Sequence, residues 1–272
     1  MTSVNKIRKI LSYTFLTVMS LISVFPLYWM FVSATNTSAD ILSGRIIPGT
    51  KMIENLKTIL EKYDLTSAFI NSFRNAACLT ILALVICSLA GYGFEIYHDK
   101  KKDRVMNFLL LGMMVPFIAI VVPLYKMFAS VGLLNSMWAV IIPTISTPFL
   151  IFLFRQSNKS FPMELIHAAR IDGLNEFQIF YRIYTPIMKS VYVTGMTVTF
   201  MNAWNAFMWP NIVLFNDTKV TLPILLSTLM TGYEMDYGAI LLCVSISTIP
   251  TIVIFLSLHK AFANGITGSV KG

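Results

Sequence analysis

Across residues 10–39 the chain carries no charged side chain. An α-helix needs about 20 apolar residues to cross a bilayer, and a segment surrounded by hydrocarbon must pair all of its own backbone N–H and C=O groups. A stretch this long reads as a membrane helix, over 11–32. Further apolar runs occupy 69–97, 105–125, 137–154, the region from 188 onward and 237–258, so the sequence predicts six spans. With 56% hydrophobic and 12% charged residues, a water-soluble globule is excluded and the class is an all-α polytopic membrane protein.

Charge orients these spans. The first comes after Lys6, Arg8 and Lys9, as a signal peptide would. A signal peptide's apolar region runs only about 7–15 residues, however, whereas this one is longer and carries Pro26, Tyr28 and Trp29 near its outer end, so a retained span with the N-terminus inside is expected. The run from His98 through Lys100, Lys101 and Lys102 to Arg104 is strongly cytoplasmic in character. On this scheme fourteen of the 21 Lys and Arg residues fall inside and six outside; Arg74 sits at the outer boundary, where a long side chain reaches the headgroups. Both termini are expected in the cytoplasm. The net charge of +8 results from this topology and gives no reason to invoke nucleic acid. Cys78, Cys87 and Cys243 lie in apolar runs, without metal-ligand spacing, and read as packing residues.

The chain divides into three regions: 1–66 with the first span and an outer loop, 67–262 with five core helices and a cytoplasmic loop at 156–187, and a cytoplasmic tail at 263–272. In the outer loop Ile53, Leu56, Ile59, Leu60 and Tyr63 recur at helical spacing, which predicts a short amphipathic helix. Pro116 and Pro123 in the third span, and Pro143 and Pro148 in the fourth, mark bends or breaks. The fifth span contains Asn202, Trp204, Asn205, Trp209 and Pro210. Amides and indoles so placed either line a path for a polar ligand or tie helices together, and the residues alone leave both open.

The cytoplasmic loop at 162–186 carries the most local information. Pro162 suits a first helical position, Glu164 favours the positive end of the helix dipole, and Gly173 can adopt the left-handed conformation that stops a helix. A helix from Met163 to about Ile171 is expected. Asn175 then caps a second, in which Phe177, Phe180 and Tyr184 recur until Pro186 breaks it.

This elbow resembles the loop of permease subunits of ABC importers, whose pattern is Glu-Ala-Ala, three residues, Gly, nine residues, Ile, one residue, Leu-Pro. Ala168, Ala169, Gly173, Ile183 and Pro186 match in register, while His167 replaces Glu and Thr185 replaces Leu. The Ala-Arg-Ile-Asp-Gly version is similar to that of carbohydrate importers of the maltose type, as are Asn202 to Asn205 with Trp209-Pro210, the Asp236-Tyr-Gly-Ala stretch, Ile249-Pro250 and the tail from Gly265 to Gly272. The resemblance implies a type I ABC importer permease fold with six transmembrane helices. It also implies a second homologous permease, two cytoplasmic ATPase subunits and an extracytoplasmic sugar-binding protein as partners in a prokaryotic plasma membrane. By the same resemblance Glu164, His167, Ala168, Ala169, Asp172 and Gly173 contact the ATPase, and Asn202, Trp204 and Asn205 line or brace the sugar path.

The chain itself has no Walker A motif: in the tail Lys271 does not come directly after a glycine and no Ser or Thr comes after it. No cofactor is expected on this chain, with ATP and Mg used by the partner ATPase and no catalysis by this subunit. The alternative, an ion-coupled carrier or channel, would need ionisable groups in the spans, which carry almost none. A scaffold subunit without a path is the third reading.

Overall fold

The computed structural model describes residues 3–231 and 235–268, all of whose regular elements are helical. The end of the glycine-rich tail, 269–272, lies outside the described residues, as do the side chains of Lys6, His259 and Lys260. The chain forms two compact units, Met1–Leu65 with Leu225–Ile249, and Thr66–Ile224 with Pro250–Gly272.

The first unit contains α1 (Ser3–Ser33), α2 (Ser38–Leu42) and α3 (Met52–Lys62). In α1 the apolar side chains from Ile10 through Leu27 lie largely outside the chain's own packing, as lipid-facing groups would. Thr37 and Asp40 form a capping box that starts α2. The expected amphipathic helix is α3, which buries Asn55 and Ile59 while Ile53 and Leu60 remain exposed. Amides hold this unit together: Asn55 Nδ2 donates to the carbonyls of Ala34 and Asn36, and Asn36 Nδ2 donates to those of Val32 and Ile47. Gly238 packs so closely on this knot that a Cβ there would lie 2.7 Å from the Asn36 carbonyl oxygen. Ser38 Oγ accepts from the Tyr237 N–H and donates to Asp236.

The second unit holds α4 (Leu65–Ile96) from Thr66 onward, succeeded by α5 (Lys100–Gly112), α6 (Phe117–Ser130), α7 (Met137–Ile141) and α8 (Pro148–Asn158). The elbow comprises α9 (Met163–Ile171), α10 (Glu176–Ile179), a π-helical stretch Phe180–Tyr184 and α11 (Thr185–Ile187). Then come α12 (Lys189–Trp204) and α13 (Met208–Val213), with α14 (Leu222–Thr231) and α15 (Tyr237–Gly268) running across the unit boundaries.

Among the described residues, three helices are long and apolar enough to cross a membrane unbroken, at Arg8–Ser33, Leu65–Ile96 and Tyr237–Leu258. The expected third span is a pair, α5 and α6, bent by 98°. The fourth is bent by 45° between Met137–Thr144 and Pro148–Asn158. Prolines stand at both breaks: Pro116 caps α6 without supplying a side-chain hydrogen bond, and Pro148 opens α8. The expected fifth span is α12, whose 16 residues extend about 24 Å and are preceded by the short helical turn Thr185–Ile187. It stops at Trp204, and the Asn202–Pro210 stretch is therefore interrupted rather than one continuous helix.

The main core of this unit joins Leu79, Ala83, Cys87 and Tyr92 of α4 to Leu150, Ile151 and Phe154 of α8 and to Ile166, Ala169 and Tyr184 of the elbow. Gly91 permits a close crossing, since a Cβ there would lie 2.5 Å from Phe154 Cβ. Where the bundle turns polar, the mostly buried Arg155 donates to Glu95 of α4 at 3.3 Å and to Asp103 of α5, tying three helices together. At the other end of α4, Asn71 Nδ2 donates to the carbonyls of Thr218 and Val220 and also orients Arg74, which donates to Asn71 Oδ1 at 3.1 Å.

Candidate functional site

The elbow divides α9 into two faces. Ile166 and Ala169 point inward and are buried, while Glu164, Leu165, His167, Ala168, Ile171 and Asp172 are exposed. Pro162 sits at the N-cap, one position earlier than expected, and α9 starts at Met163. Gly173 turns the chain at φ +80°, where a side chain would be strained. Asn175 then accepts from the Gln178 N–H as Gln178 Oε1 accepts from the Asn175 N–H, a reciprocal cap for α10.

Pro186 does not break the second helix of the elbow, contrary to the sequence expectation. Lacking an N–H, it cannot donate back along an α-helix, and the preceding residues widen into the π-helical stretch, in which the Thr185 N–H reaches the Phe180 carbonyl. The Thr185 hydroxyl donates to the same carbonyl at 2.9 Å. Helix thus continues through the proline toward α12.

A polar lock fastens the elbow to the bundle. Tyr184 is fully buried and its hydroxyl donates to Asn158 Oδ1 at 2.7 Å. Its ring packs edge-on to Tyr92 at 4.9 Å and stacks on Phe180 at 5.2 Å. Tyr92 in turn donates to Glu176, whose other oxygen accepts from Arg170 Nε at 2.8 Å. The Arg170 guanidinium also lies 5.7 Å from the centre of the Tyr97 ring. The hydrogen bond from Arg170 holds the Glu176 carboxyl below its usual range, against the opposing effect of partial burial.

Outside this lock the elbow presents carboxylates and apolar side chains together. Ile171 is 86% exposed and Phe177 74%, with Tyr181 also outward. Ala168, Ala169, Asp172, Leu174 and Ile183 line a shallow cleft, so Ala169, though buried, forms part of its floor. Phe177 and Tyr181 are not among the contact residues selected from the sequence; aromatic side chains in a loop flanked by polar residues were the available signal.

A second candidate region is a cavity of ≈ 260 Å³ bounded by α4, the α7–α8 break and α12, lined among others by Asn75, Thr144, Thr147, Thr199, Asn202 and Trp209. The three residues selected in sequence do not converge here. Asn202 lines the cavity, whereas Trp204 is buried against Phe69 and Phe200 at centroid distances of 5.6 and 5.9 Å. Asn205 turns back, its Nδ2 donating to the Met201 carbonyl at the end of α12. Trp209 supplies the cavity's indole instead, fixed by donation to the Ala139 carbonyl at 2.7 Å and edge contacts to Phe117 and Phe128. Asn75 and the threonines gave no pattern in sequence, since each is a single polar residue in an apolar run.

Bent membrane helices, a neutral cavity within them and an anchored elbow define a membrane transport component. Residues 84–268 match the family described as binding-protein-dependent transport system inner membrane component, and the chain belongs to that family. It is 40% identical over 268 residues to the lactose transport system permease protein LacG of Rhizobium radiobacter, with 98% of each chain covered. To the arabinooligosaccharides transport system permease protein AraQ of Bacillus subtilis (strain 168) it is 33% identical, covering 95% of this chain and 94% of the relative. The fold is also that of a chain in a bacterial ABC transporter involved in import of the acidic polysaccharide alginate, with TM-score 0.85 at 18% identity, over 96% of this chain and 99% of the other.

Proposed function

We propose that this chain is a permease subunit of an ATP-driven importer of sugars, with oligosaccharides as the substrate class. In this reading it forms half of the translocation path beside a second homologous permease. Two cytoplasmic ATPases use ATP and Mg, and an extracytoplasmic protein delivers the sugar. Both termini face the cytoplasm, and the loop at 162–186 receives the ATPase. Glu164, His167, Ala168, Ala169, Asp172 and Gly173 form or shape that contact, and Asn202 borders the path while Trp204 and Asn205 brace it.

The observation that carries the coupling role is the split character of α9, a short helix locked to the bundle on one side and displaying carboxylates and apolar groups on the other. A rigid helix of this kind can pass a displacement to the bundle instead of absorbing it. The sugar class is supported by relatives named for lactose and arabinooligosaccharide transport over nearly the whole length of the chain. The test is reconstitution of the chain with the ATPase, second permease and binding protein encoded beside it. Neutral oligosaccharide with its binding protein is expected to stimulate ATP hydrolysis and to accumulate inside proteoliposomes. Transport without any co-purifying ATPase would instead establish an ion-coupled carrier.

A further inference from the structure

The last turns of α4 border a groove that neither the elbow nor the cavity accounts for. Ala90, Gly93, Phe94 and Tyr97 recur at i, i+3, i+4 and i+7 and so share one face, while Lys102 and Val105 of α5 line the other side. The groove is apolar along α4 and cationic where the chain turns into α5. At Gly93 a Cβ would meet nothing within 4 Å, so this part of the groove is open and not filled by the chain's own packing. With 32 residues α4 extends about 48 Å, enough to carry its ends to the headgroup layers of a bilayer.

Lys102 is fixed in place but not saturated. Its Nζ donates to the Tyr97 carbonyl and, at 3.0 Å, to Asp99 Oδ2, and an ammonium has a third N–H to give. The other nearby carboxylates are engaged elsewhere: Glu95 and Asp103 both accept from Arg155, and Asp103 also meets His98. Lys100, Lys101 and Arg104 are exposed and none is paired with a carboxylate among the described residues. A basic run alone marks topology. Here it adjoins an open apolar groove, which adds a requirement on the occupant. A free anion would meet the cations and leave the apolar face wet, and an apolar helix would cover that face and strip water from the ammonium groups. A phospholipid of net negative charge matches both parts. A zwitterionic lipid offers the same chains without the net charge, and each basic residue near an anionic headgroup favours binding by about fivefold.

We propose that this groove is a binding site for one anionic phospholipid, with its phosphate on Lys102 Nζ and an acyl chain along Ala90, Gly93 and Phe94. The groove is formed within this chain, so the inference goes beyond the importer reading and does not depend on it.

The test is native mass spectrometry of the full chain, purified in detergent with whatever subunits accompany it, and titrated with phosphatidylglycerol or with phosphatidylcholine of identical acyl chains. Phosphatidylglycerol is expected to be retained at least fivefold more tightly. Lys102→Gln is expected to bring the two lipids close to parity. Gly93→Phe, which fills the groove, is expected to weaken retention of both, whereas Gly93→Ala leaves it unchanged. Glycerol phosphate, a headgroup without chains, is expected not to displace the lipid. A second arm does not need these variants to fold: Gly93→Cys carrying a benzophenone maleimide, in nanodiscs containing both lipids, is expected to photo-crosslink to phosphatidylglycerol. Equal retention of the two lipids, a preference undiminished in Lys102→Gln, or retention undiminished in Gly93→Phe overturns the site. Displacement by glycerol phosphate reduces it to a site for free anions and overturns the lipid assignment. Photo-crosslinking to a protein subunit shows that a protein covers the groove and overturns it as well. None of these outcomes touches the importer reading, which is decided by ATPase co-purification and uptake.

Discussion

Tyr184→Phe removes one oxygen atom and exposes how firmly the elbow is fastened. In the native chain the Tyr184 hydroxyl donates at 2.7 Å to Asn158 Oδ1, and Asn158 is 2% exposed with its Nδ2 already unpartnered among the described residues. Without the hydroxyl, the Asn158 amide is buried with neither end paired. Stranding a buried polar group costs about 1–3 kcal/mol, which at ~2–4 °C per kcal/mol for a chain of similar size lowers the melting midpoint by roughly 2–12 °C. Asn158→Leu strands the hydroxyl instead and is expected to cost a similar amount. The double variant leaves no polar atom behind and is expected to recover most of the loss, because replacing both partners by apolar groups of similar shape is nearly neutral. The assay is thermal unfolding of the purified protein in one detergent, with all four members of the cycle measured. Additive losses in the double variant, or no shift in Tyr184→Phe, would show that this hydrogen bond does not hold the elbow and would refute the reasoning.

At the close crossing of α4 and α8, Gly91→Ala places a Cβ 2.5 Å from Phe154 Cβ, and the overpacking is expected to cost about 1–3 kcal/mol, read as a lower melting midpoint in the same assay. On the exposed side of α9, Glu164→Lys is expected to weaken ATPase association more than His167→Ala, measured by pull-down; equal and negligible effects would move the contact elsewhere. The Glu176–Arg170 pair predicts an acid response of definite sign. Because the folded carboxyl lies below its ordinary 4.5, its contribution is complete above that value and lost as pH falls through the depressed value, so pepsin cleavage of the elbow should rise there. Glu176→Gln should remove this component at a cost under about 1 kcal/mol, the ceiling for a solvent-exposed pair.

What could be read in the sequence was set by how local the chemistry is. The extent of α9, the left-handed Gly173 and the Asn175 cap depend on neighbours within four residues and were all legible. The apolar runs located the membrane helices for the same reason. Pro186 departs from the rule that proline ends a helix because the turns before it widen, an option that the Thr185 hydroxyl supports. Prolines likewise announced a bend near Pro116 but not its 98°, which packing decides. The cavity was the least legible feature. The sequence places two indoles in the Asn202–Pro210 stretch and singles out Trp204 as lining or bracing the path, but α12 stops at Trp204 and it is Trp209 that lines the cavity. Asn75 becomes notable only once α4, α7, α8 and α12 are assembled around it.

The two faces of α9 also bear on how such a subunit can change over time. Ile166 and Ala169 are constrained by the chain's own interior, whereas Glu164, His167, Ala168 and Asp172 project away from it. Variation on the outer positions can therefore accumulate in step with a changing neighbour while the bundle's own stability is left almost untouched. A histidine at 167, where the resembling loops carry glutamate, is a difference the fold tolerates freely. Under the proposed coupling role, the outer half of one nine-residue helix can be retuned to a different ATPase without rebuilding the helices behind it.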